Sequence, residues 1–185
     1  MSLLDIYVLG APILRQETRV VEKFDDDVRR LIDDMFETMY AAKGIGLAAP
    51  QVGRSERLAV IDVDQRPYVI VNPEIVHREG SQSGEEGCLS IPEIYGDVER
   101  AAHVRIKALD RDGQPFELNA DELLARCLQH EIDHLHGRLF IDYLGLLRRR
   151  AAISKWEKLR KGDKSLTRTV SPREAAEQHK RDEEL

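Results

Sequence analysis

Two histidines, His130 and His134, lie four residues apart in a segment of helical character, and Glu131 stands between them. Four residues make about one helical turn, so both imidazoles would project from one face and could bind a single metal ion. A carboxylate beside such a metal can accept a proton from water. The segment therefore predicts metal-dependent hydrolysis, although this five-residue pattern also occurs by chance on amphipathic helices.

A hydrolytic metal site needs a third protein ligand, and the residues leave several candidates open. One group of zinc endopeptidases extends the motif with a histidine at the position where this chain has Phe140. Another group uses a downstream glutamate, but the acid in the next predicted helix, Glu157, lies in a strongly basic stretch. Neither endopeptidase pattern is complete here.

The two cysteines, Cys88 and Cys127, are the remaining candidate ligands. Both of them together with the two histidines would form a closed structural zinc site. Such a site has no use for Glu131, and three ligands from one straight helix would fit a tetrahedron poorly, because Cys127 shares the helix with both histidines. Cys88 alone would leave one coordination position for water, which is the catalytic arrangement.

The elements that must position these residues can be read from apolar spacing and turn signals. Helices are predicted over about residues 25–44, 121–136 and 145–160. Strands are predicted over 57–63, 68–72 and 75–77, with a hairpin of 103–109 and 115–118. The glycine- and serine-rich segment 80–87 is predicted to be a loop.

This mixture of helices and short hairpin strands, without βαβ alternation, predicts an α+β fold. We expect short antiparallel strands and hairpins packed around a central helix that carries the HExxH motif, with a C-terminal helix. A catalytic domain is expected over residues 1–161. A polar tail over 162–185 would follow, in which the sequence SPRE at 171–174 could cap a short helix.

The composition is that of an ordinary soluble globular protein, with 185 residues, 42% hydrophobic, 34% charged and a net charge of −6. It excludes low-hydrophobicity disorder and collagen-like repeats, and no apolar run approaches the roughly 18 residues of a membrane span. The N-terminus fits no signal segment, and two cysteines are too few for a disulfide framework, so we expect a cytoplasmic protein. Residues 146–161 carry seven basic residues and one acidic residue, which indicates an anionic partner or a solvated helix face.

Three blocks of the sequence resemble, in order and spacing, the signature motifs of the peptide deformylase family. They are GIGLAAPQ at 44–51, EGCLS at 86–90 and QHEIDH at 129–134. The sequence GAPILR at 10–15 is also similar, and the resemblance covers about residues 5–160. Three blocks together are far more specific than any one of them.

The resemblance implies a reaction and a metal. The family removes the N-formyl group from the N-terminal formylmethionine of newly synthesised polypeptides and releases formate. Its nucleophile is metal-bound hydroxide, and its general base and acid corresponds to Glu131. The implied metal is one Fe²⁺ per chain, for which Zn²⁺, Ni²⁺ or Co²⁺ can substitute, with Cys88, His130 and His134 as ligands.

The resemblance also implies how the substrate is held. Gln51 and the backbone N–H of Leu89 would stabilise the oxyanion. The implied substrate-binding residues are Ile45, Gly46, Gly87, Arg126 and Cys127. Some relatives carry an apolar residue in place of Arg126, whose stem is expected to line the pocket while its guanidinium reaches solvent. Glu86 is expected to pair with Arg100.

The partners that the resemblance implies are N-formylmethionyl peptides and nascent chains. In bacterial members a C-terminal helix is associated with ribosome docking, and the basic segment 146–161 has the charge for that role. No membrane contact is expected, and we expect a monomer.

Overall fold

Residues 2–171 are described by a computed structural model, which places three α-helices and nine strands among them. The helices are α1 (Asp26–Ala41), α2 (Glu122–Leu135) and α3 (Leu146–Leu159). The first five strands are β1 (Ile6–Tyr7), β2 (Gly46–Ala48), β3 (Leu58–Val63), β4 (Arg66–Glu79) and β5 (Gln82–Cys88). The last four are β6 (Ile91–Arg100), β7 (His103–Leu109), β8 (Pro115–Asp121) and β9 (Thr167–Arg168). None of the helices in this range is long and apolar enough to cross a lipid bilayer.

The strands form three separate antiparallel sheets. Five of them pair in the order β2-β3-β4-β7-β8, so that β2 is an edge strand. Strands β5 and β6 form a hairpin of their own, and β1 pairs with β9. The predicted α+β class, with hairpins around a central helix and a helix near the C-terminus, is confirmed.

The five-stranded sheet is covered by a helix on each face, and β3 shows why. Alternate residues of a strand point to opposite faces, so Ala59 and Ile61 pack with α2 while Leu58 and Val60 pack with α1. A strand that is buried on both sides must be apolar at nearly every position, as the run LAVIDV largely is. The predicted central helix is α2, whose apolar residues lie in the larger of these two cores.

A third core lies between the β5–β6 hairpin and α3. It contains Ile91, Ile94 and Val98 of β6, together with Phe140 and Trp156. The apolar residues of α3 in the sequence are Leu147, Ala151, Ala152, Trp156 and Leu159, and from their types alone we expect them to dock the helix on the body. This expectation is wrong in part. Trp156 is the buried member, with Ala152 and Ile153 beside it, whereas Leu147 is 79% exposed and Leu159 is 48% exposed.

Two local predictions also need correction. Segment 80–87 contributes most of strand β5, because its backbone finds a partner in β6 that compensates for the low strand propensity of glycine and serine. Strand β4 is continuous across the two runs that were predicted separately, with irregular register near Asn72 and Val76. The short helix suggested by SPRE at 171–174 falls largely outside the described residues, and the segment before it contains β9.

The end of α2 depends on Gly137. This residue has a φ of +70°, and a Cβ there would lie 2.6 Å from the carbonyl oxygen of Arg15. The positive φ disfavours any L side chain, and the neighbouring backbone cannot move aside as a flexible side chain could. The turn that follows α2 therefore requires glycine.

We expect Gly137→Ala to lower the free energy of unfolding by about 2 kcal/mol or more, because the left-handed conformation and the backbone contact both oppose a methyl group. Gly145→Ala is the matched control, since a Cβ at Gly145 meets nothing within 4 Å and its φ is −57°. The control should cost less than about 1 kcal/mol in urea denaturation. Equal losses for the two variants would contradict this account of Gly137.

Candidate metal centre

The side chains of Cys88, His130 and His134 converge on one point. Their ligand atoms all lie within 4.8 Å of one another. The Nε2 atom of His134 lies 3.3 Å from the Sγ atom of Cys88 and 3.2 Å from the Nε2 atom of His130. One sulfur and two imidazole nitrogens at this spacing form a donor set suited to a divalent transition metal.

Local structure aims each of these three side chains. The two histidines lie one turn apart on α2, as the sequence predicted. Cys88 ends β5, where the pairing with β6 changes register between Gly87 and Cys88. Such irregularities redirect a side chain relative to a regular ladder, and here the thiol meets the helix.

Phe140, at the position where some endopeptidases carry a third histidine, is a packing residue. Its ring stacks against the imidazole of His130 at a centroid distance of 6.4 Å. Phe140 is 1% exposed, so it helps to hold the ring of a candidate ligand without offering a donor atom. The other endopeptidase candidate, Glu157, lies exposed on α3.

Cys127 lies outside the cluster of three, which is the single such group found among residues 2–171. Its thiol donates to the carbonyl oxygen of Ile45 at 3.6 Å. Burial is the main cause that raises the pKa of the Cys127 thiol, and the negative charge of Glu131 raises it further. The raised pKa favours the neutral thiol over the thiolate that binds metals. The described geometry gives the four-ligand structural zinc alternative no support.

Glu131 lies beside the cluster in an unusual environment. Its Oε2 atom is buried and has no hydrogen-bond partner among the described residues. Burial is the main reason that the pKa of Glu131 rises to about 7. A carboxyl group with this pKa can both accept and release a proton near neutrality.

Strand β2 passes so close to Glu131 that a side chain at Gly46 would displace the carboxylate. A Cβ on Gly46 would collide with the Oε1 atom of Glu131. The absence of a side chain therefore lets the edge of the sheet approach the carboxylate. The same strand is followed directly by the 3-10 turn Ala49–Val52, which contains Gln51.

The Gln51 side chain is buried and points at the cluster. Its Oε1 accepts from the backbone N–H of Ala48 at 2.9 Å, which fixes the orientation of the amide. Its Nε2 then donates to Ser90 Oγ at 3.1 Å and lies 3.5 Å from Cys88 Sγ. The amide therefore presents N–H groups next to the candidate metal ligands.

A buried carboxylate, Glu86, links the hairpin to α2. It accepts two hydrogen bonds from Arg100, at 2.9 and 3.0 Å, which confirms the predicted pair. Its Oε2 also lies 2.9 Å from Nδ1 of His130, so a proton on Nδ1 would leave Nε2 free for a metal. Burial alone would raise the pKa of Glu86, but the bonds with Arg100 and His130 outweigh it and lower that pKa to about 2.

The network extends behind α2. Arg100 also pairs with Asp133, and its guanidinium lies over the ring of Tyr143 at 4.4 Å from the centroid. The Tyr143 hydroxyl donates to Asp133 at 2.9 Å. A large open cleft of about 910 Å³ reaches the rear of this network, but its lining does not include the three candidate ligands.

The expectation that the guanidinium of Arg126 reaches solvent is wrong. Its Nη1 donates to Glu86 Oε1 at 2.8 Å and to the carbonyl oxygen of Val98 at 2.9 Å. Its Nη2 donates to the carbonyl oxygen of Gln82 at 3.1 Å. The buried carboxylate of Glu86 and the carbonyl groups of the hairpin attract the guanidinium inward, because its several N–H donors can bind all of these acceptors at once.

A cavity of about 500 Å³ opens beside the cluster. Its walls include residues 42–46, 85–89 and 91–95 and one face of α2. The structure brings ten of the predicted site residues to these walls: Ile45, Gly46, Gln51, Gly87, Cys88, Leu89, Arg126, Cys127, His130 and Glu131. His134, which is 1% exposed, lies at the buried end of the cluster.

Sequence reasoning did not identify three residues that shape this site, namely Ser90, Tyr143 and Arg168. Ser90 accepts from Gln51, and Arg168 donates through Nε to the carbonyl oxygen of Leu89 at 3.0 Å. Ser90 is the last residue of the recognised EGCLS motif, and its place in that motif could have drawn attention to it. Tyr143 and Arg168 meet their partners only through the tertiary fold.

The sequence and the fold are similar to those of known proteins. A family model described as polypeptide deformylase matches residues 3–150. The peptide deformylase of Alkalilimnicola ehrlichii is 55% identical over 163 residues, which cover 86% of this chain and 92% of that protein. A crystal structure of a peptide deformylase from Legionella pneumophila has a TM-score of 0.83 at 50% identity, covering 86% of this chain and 96% of that one. Another, from Ehrlichia chaffeensis in complex with actinonin, has a TM-score of 0.84 at 40% identity, covering 87% and 99%.

We expect Glu86→Gln to lower the free energy of unfolding by roughly 3–5 kcal/mol at neutral pH, because it leaves buried guanidinium groups without their counter-charge. Glu85→Gln, at the exposed neighbouring position, should change it by less than about 0.5 kcal/mol. Urea denaturation of both variants measures the difference.

The effect of Glu86→Gln should also depend on pH. An unfolded glutamate titrates near 4.5 and Glu86 near 2, so its stabilising contribution is complete above the first value and is lost toward the second. The gap between parent and variant should therefore narrow as the pH falls below about 5. A gap that stays constant with pH would contradict the role given to the Glu86 charge.

Proposed function

This chain belongs to the polypeptide deformylase family, and we propose how its own residues hydrolyse the N-formyl group of a formylmethionyl polypeptide. The observation that carries the proposal is the convergence of Cys88, His130 and His134 beside a buried, unpartnered carboxylate oxygen of Glu131. Formate and a polypeptide with a free N-terminal amine are the products.

The proposed ligands are Cys88, His130 and His134, and the proposed metal is one Fe²⁺ per chain, with Zn²⁺, Ni²⁺ or Co²⁺ as substitutes. Thiolate and imidazole donors are compatible with all four metals. When bound, the metal supplies Lewis acidity that makes hydroxide available from water at neutral pH. Two observations support this assignment. The three donor atoms lie within 4.8 Å of one another. Glu86 lies at Nδ1 of His130, which leaves Nε2 of the same ring available to a metal.

Glu131 is the proposed general base and acid. It accepts the proton of the attacking water and gives it to the amine that leaves when the bond between carbon and nitrogen breaks. Its pKa of about 7 suits both steps, because the group is partly ionised at neutral pH. Its buried Oε2 has no competing partner among the described residues.

Two donors are proposed to stabilise the oxyanion that develops on the formyl oxygen. The first is Nε2 of Gln51, whose amide orientation is fixed through Ala48. The second is the backbone N–H of Leu89, which follows the ligand Cys88 directly in the chain. Donors that are held in place before the reaction stabilise charge without reorganisation at the moment of reaction.

The substrate chain is proposed to bind as an added strand between two sheet edges. Strand β2 is the edge of the five-stranded sheet, and β5 is a strand of the two-stranded hairpin. Ile45 and Gly46 on one side, and Gly87 on the other, all line the 500 Å³ cavity. Cys127 and the stem of Arg126 would contact the methionine side chain, because they line the same cavity from α2.

The setting of the reaction follows from its substrate. Newly synthesised polypeptides are made in the cytoplasm, and we propose that the protein acts there on nascent chains. The proposed ligands and proton-transfer groups need no residue from a second copy of the chain, and we propose that the protein is a monomer. We propose residues 1–161 as the catalytic domain, with 162–185 following it.

The basic segment 146–161 is proposed to bind the ribosome, whose surface is mostly RNA phosphate. Arg148 and Arg150 are exposed, whereas Arg149 is directed to Asp142 of the body. Beside them, Leu146 and Leu147 are 64% and 79% exposed. Exposed apolar side chains next to exposed arginines are a common feature of macromolecular contact surfaces.

We expect Glu131→Gln to retain the metal and to lose at least 10²–10⁴-fold in turnover, because a neutral amide cannot accept the proton. Cys88→Ala should lose the metal itself, and Cys127→Ser should keep it. Formate release from formyl-Met-Ala-Ser, with metal content measured on the same anaerobically purified samples, tests all three. Near-normal turnover by Glu131→Gln would refute the mechanism, and failure of the parent loaded with iron, nickel or cobalt would refute the activity.

We expect replacement of Arg148, Arg150 and Lys158 with Gln to weaken ribosome binding at low salt. Loss of up to three phosphate contacts should reduce the slope of log K against log salt by about 2, because fewer counterions are released. Co-sedimentation with ribosomes between 50 and 200 mM salt, roughly the range over which such contacts weaken, provides the measurement.

A charge-matched control replaces three exposed arginines elsewhere, Arg30, Arg66 and Arg78, with Gln. Hydrolysis of the free formylated tripeptide should be unchanged in both triple variants, since neither set of side chains lines the 500 Å³ cavity. Equal sedimentation of the two variants would assign the basic face of α3 to solvation alone.

A further inference from the structure

The segment after α3 returns to the body of the protein and lies against the loop that follows Cys88. Its strand β9 pairs with β1, with Arg168 opposite Ile6. The backbone N–H of Val8 donates to the carbonyl oxygen of Leu166 at 2.9 Å, and the N–H of Leu9 donates to that of Ser90 at 2.9 Å. The N-terminal segment is thus bonded on one side to the C-terminal segment and on the other to the loop at the active site.

One side chain of this segment reaches that loop directly. Nε of Arg168 donates to the carbonyl oxygen of Leu89 at 3.0 Å. Hydrogen bonds from a charged donor are roughly twice as strong as neutral ones. The peptide bond between Leu89 and Ser90 is therefore fixed at both of its residues, through Leu89 by Arg168 and through Ser90 by Leu9.

Apolar packing also joins the C-terminal segment to Leu89. Val170 is 2% exposed and lies in a small cluster with Ile6 and Ala41, against which Leu89 packs. Leu89 in turn lines the 500 Å³ cavity. Residues 165–170 lie beyond the part of the chain that the family model matches, which ends at residue 150.

We infer that Arg168 is a positioning residue for the reaction: by holding the carbonyl of Leu89 it sets the direction of the Leu89 N–H. The inference rests on the proposed function, which assigns that N–H to the oxyanion. The N–H and the carbonyl of one residue are joined by two backbone torsions, so fixing the carbonyl plane restricts the amide. Misplacement of a catalytic group by about 1 Å can cost 10²-fold in rate, and loss of one oxyanion donor costs roughly 10²–10³-fold.

The test compares two substitutions of Arg168 in the full-length, metal-loaded protein. Arg168→Met removes the donor and keeps an unbranched side chain of similar length. We expect its kcat to fall about tenfold, which is less than the loss caused by removing a whole oxyanion donor, and its KM to change by less than about twofold. Arg168→Gln places an amide nitrogen the same number of bonds from Cα as the lost Nε, and should recover most of the rate. Lys164→Met, at an exposed position of the same segment, controls for the loss of one positive charge.

Metal content and melting temperature are measured for every variant, with assays well below each melting temperature. A parent-like kcat for Arg168→Met, or a loss confined to its melting temperature, would overturn the inference. So would a fall in metal content that matches the fall in kcat, because the defect would then lie at Cys88. An equal loss in Arg168→Gln would overturn it as well. A parent that releases no formate would instead refute the proposed function, and the two failures are thereby distinguished.

Discussion

The carboxylate of Glu86 joins the two parts of the molecule that supply the candidate metal ligands. Cys88 comes from the β5–β6 hairpin, which shares no strand pairing with the five-stranded sheet, whereas the histidines come from α2. Glu86 lies on the hairpin and meets Arg126 and His130 of the helix, while Arg100 binds it from the neighbouring strand. Because the carboxylate is buried with its partners, any sliding of hairpin against helix would separate charges in a medium that cannot solvate them. The distances between the sulfur of Cys88 and the histidine nitrogens are thus maintained by the contacts of Glu86, which is not itself a candidate ligand.

Close packing of backbone against side chain determines the environment of Glu131 on the other side of the site. Strand β2 lies against α2 at Gly46, where a methyl group would displace Glu131. Close approach removes water from the carboxylate, and this is why its pKa rises far above that of Glu86, which is also buried but is surrounded by donors. Two glutamates of one site therefore differ in proton affinity, because Glu86 has charged partners whereas Oε2 of Glu131 has none among residues 2–171. The contrast separates a structural anion from a group that can exchange a proton.

Residue types and spacing predicted the parts of this structure that depend on short-range order. The spacing of the two histidines and the role of α2 as the central helix follow from local pattern, whereas the expected pairing of Glu86 with Arg100 joins two neighbouring strands. Strand β5 could not be predicted, because its glycines and serines become a strand only through a partner that folds against them. The direction of Arg126 was also inaccessible, since it depends on carbonyl groups of residues distant in the chain. The docking of α3 through Trp156, and the bond from Arg168 to Leu89, likewise require the whole fold.

The pairing of β1 with β9 has a consequence for how the molecule is made. Synthesis runs from the N-terminus, so Ile6 and Tyr7 emerge first and their partners, Arg168 and Thr167, emerge about 160 residues later. Throughout that interval β1 has no strand to pair with, and closure of so long a loop comes late in folding because its entropic cost must be met by other contacts first. The loop beside the candidate metal ligands therefore becomes fully braced only after most of the chain has been translated. Vectorial synthesis thus separates the assembly of the core from the final bracing of the site.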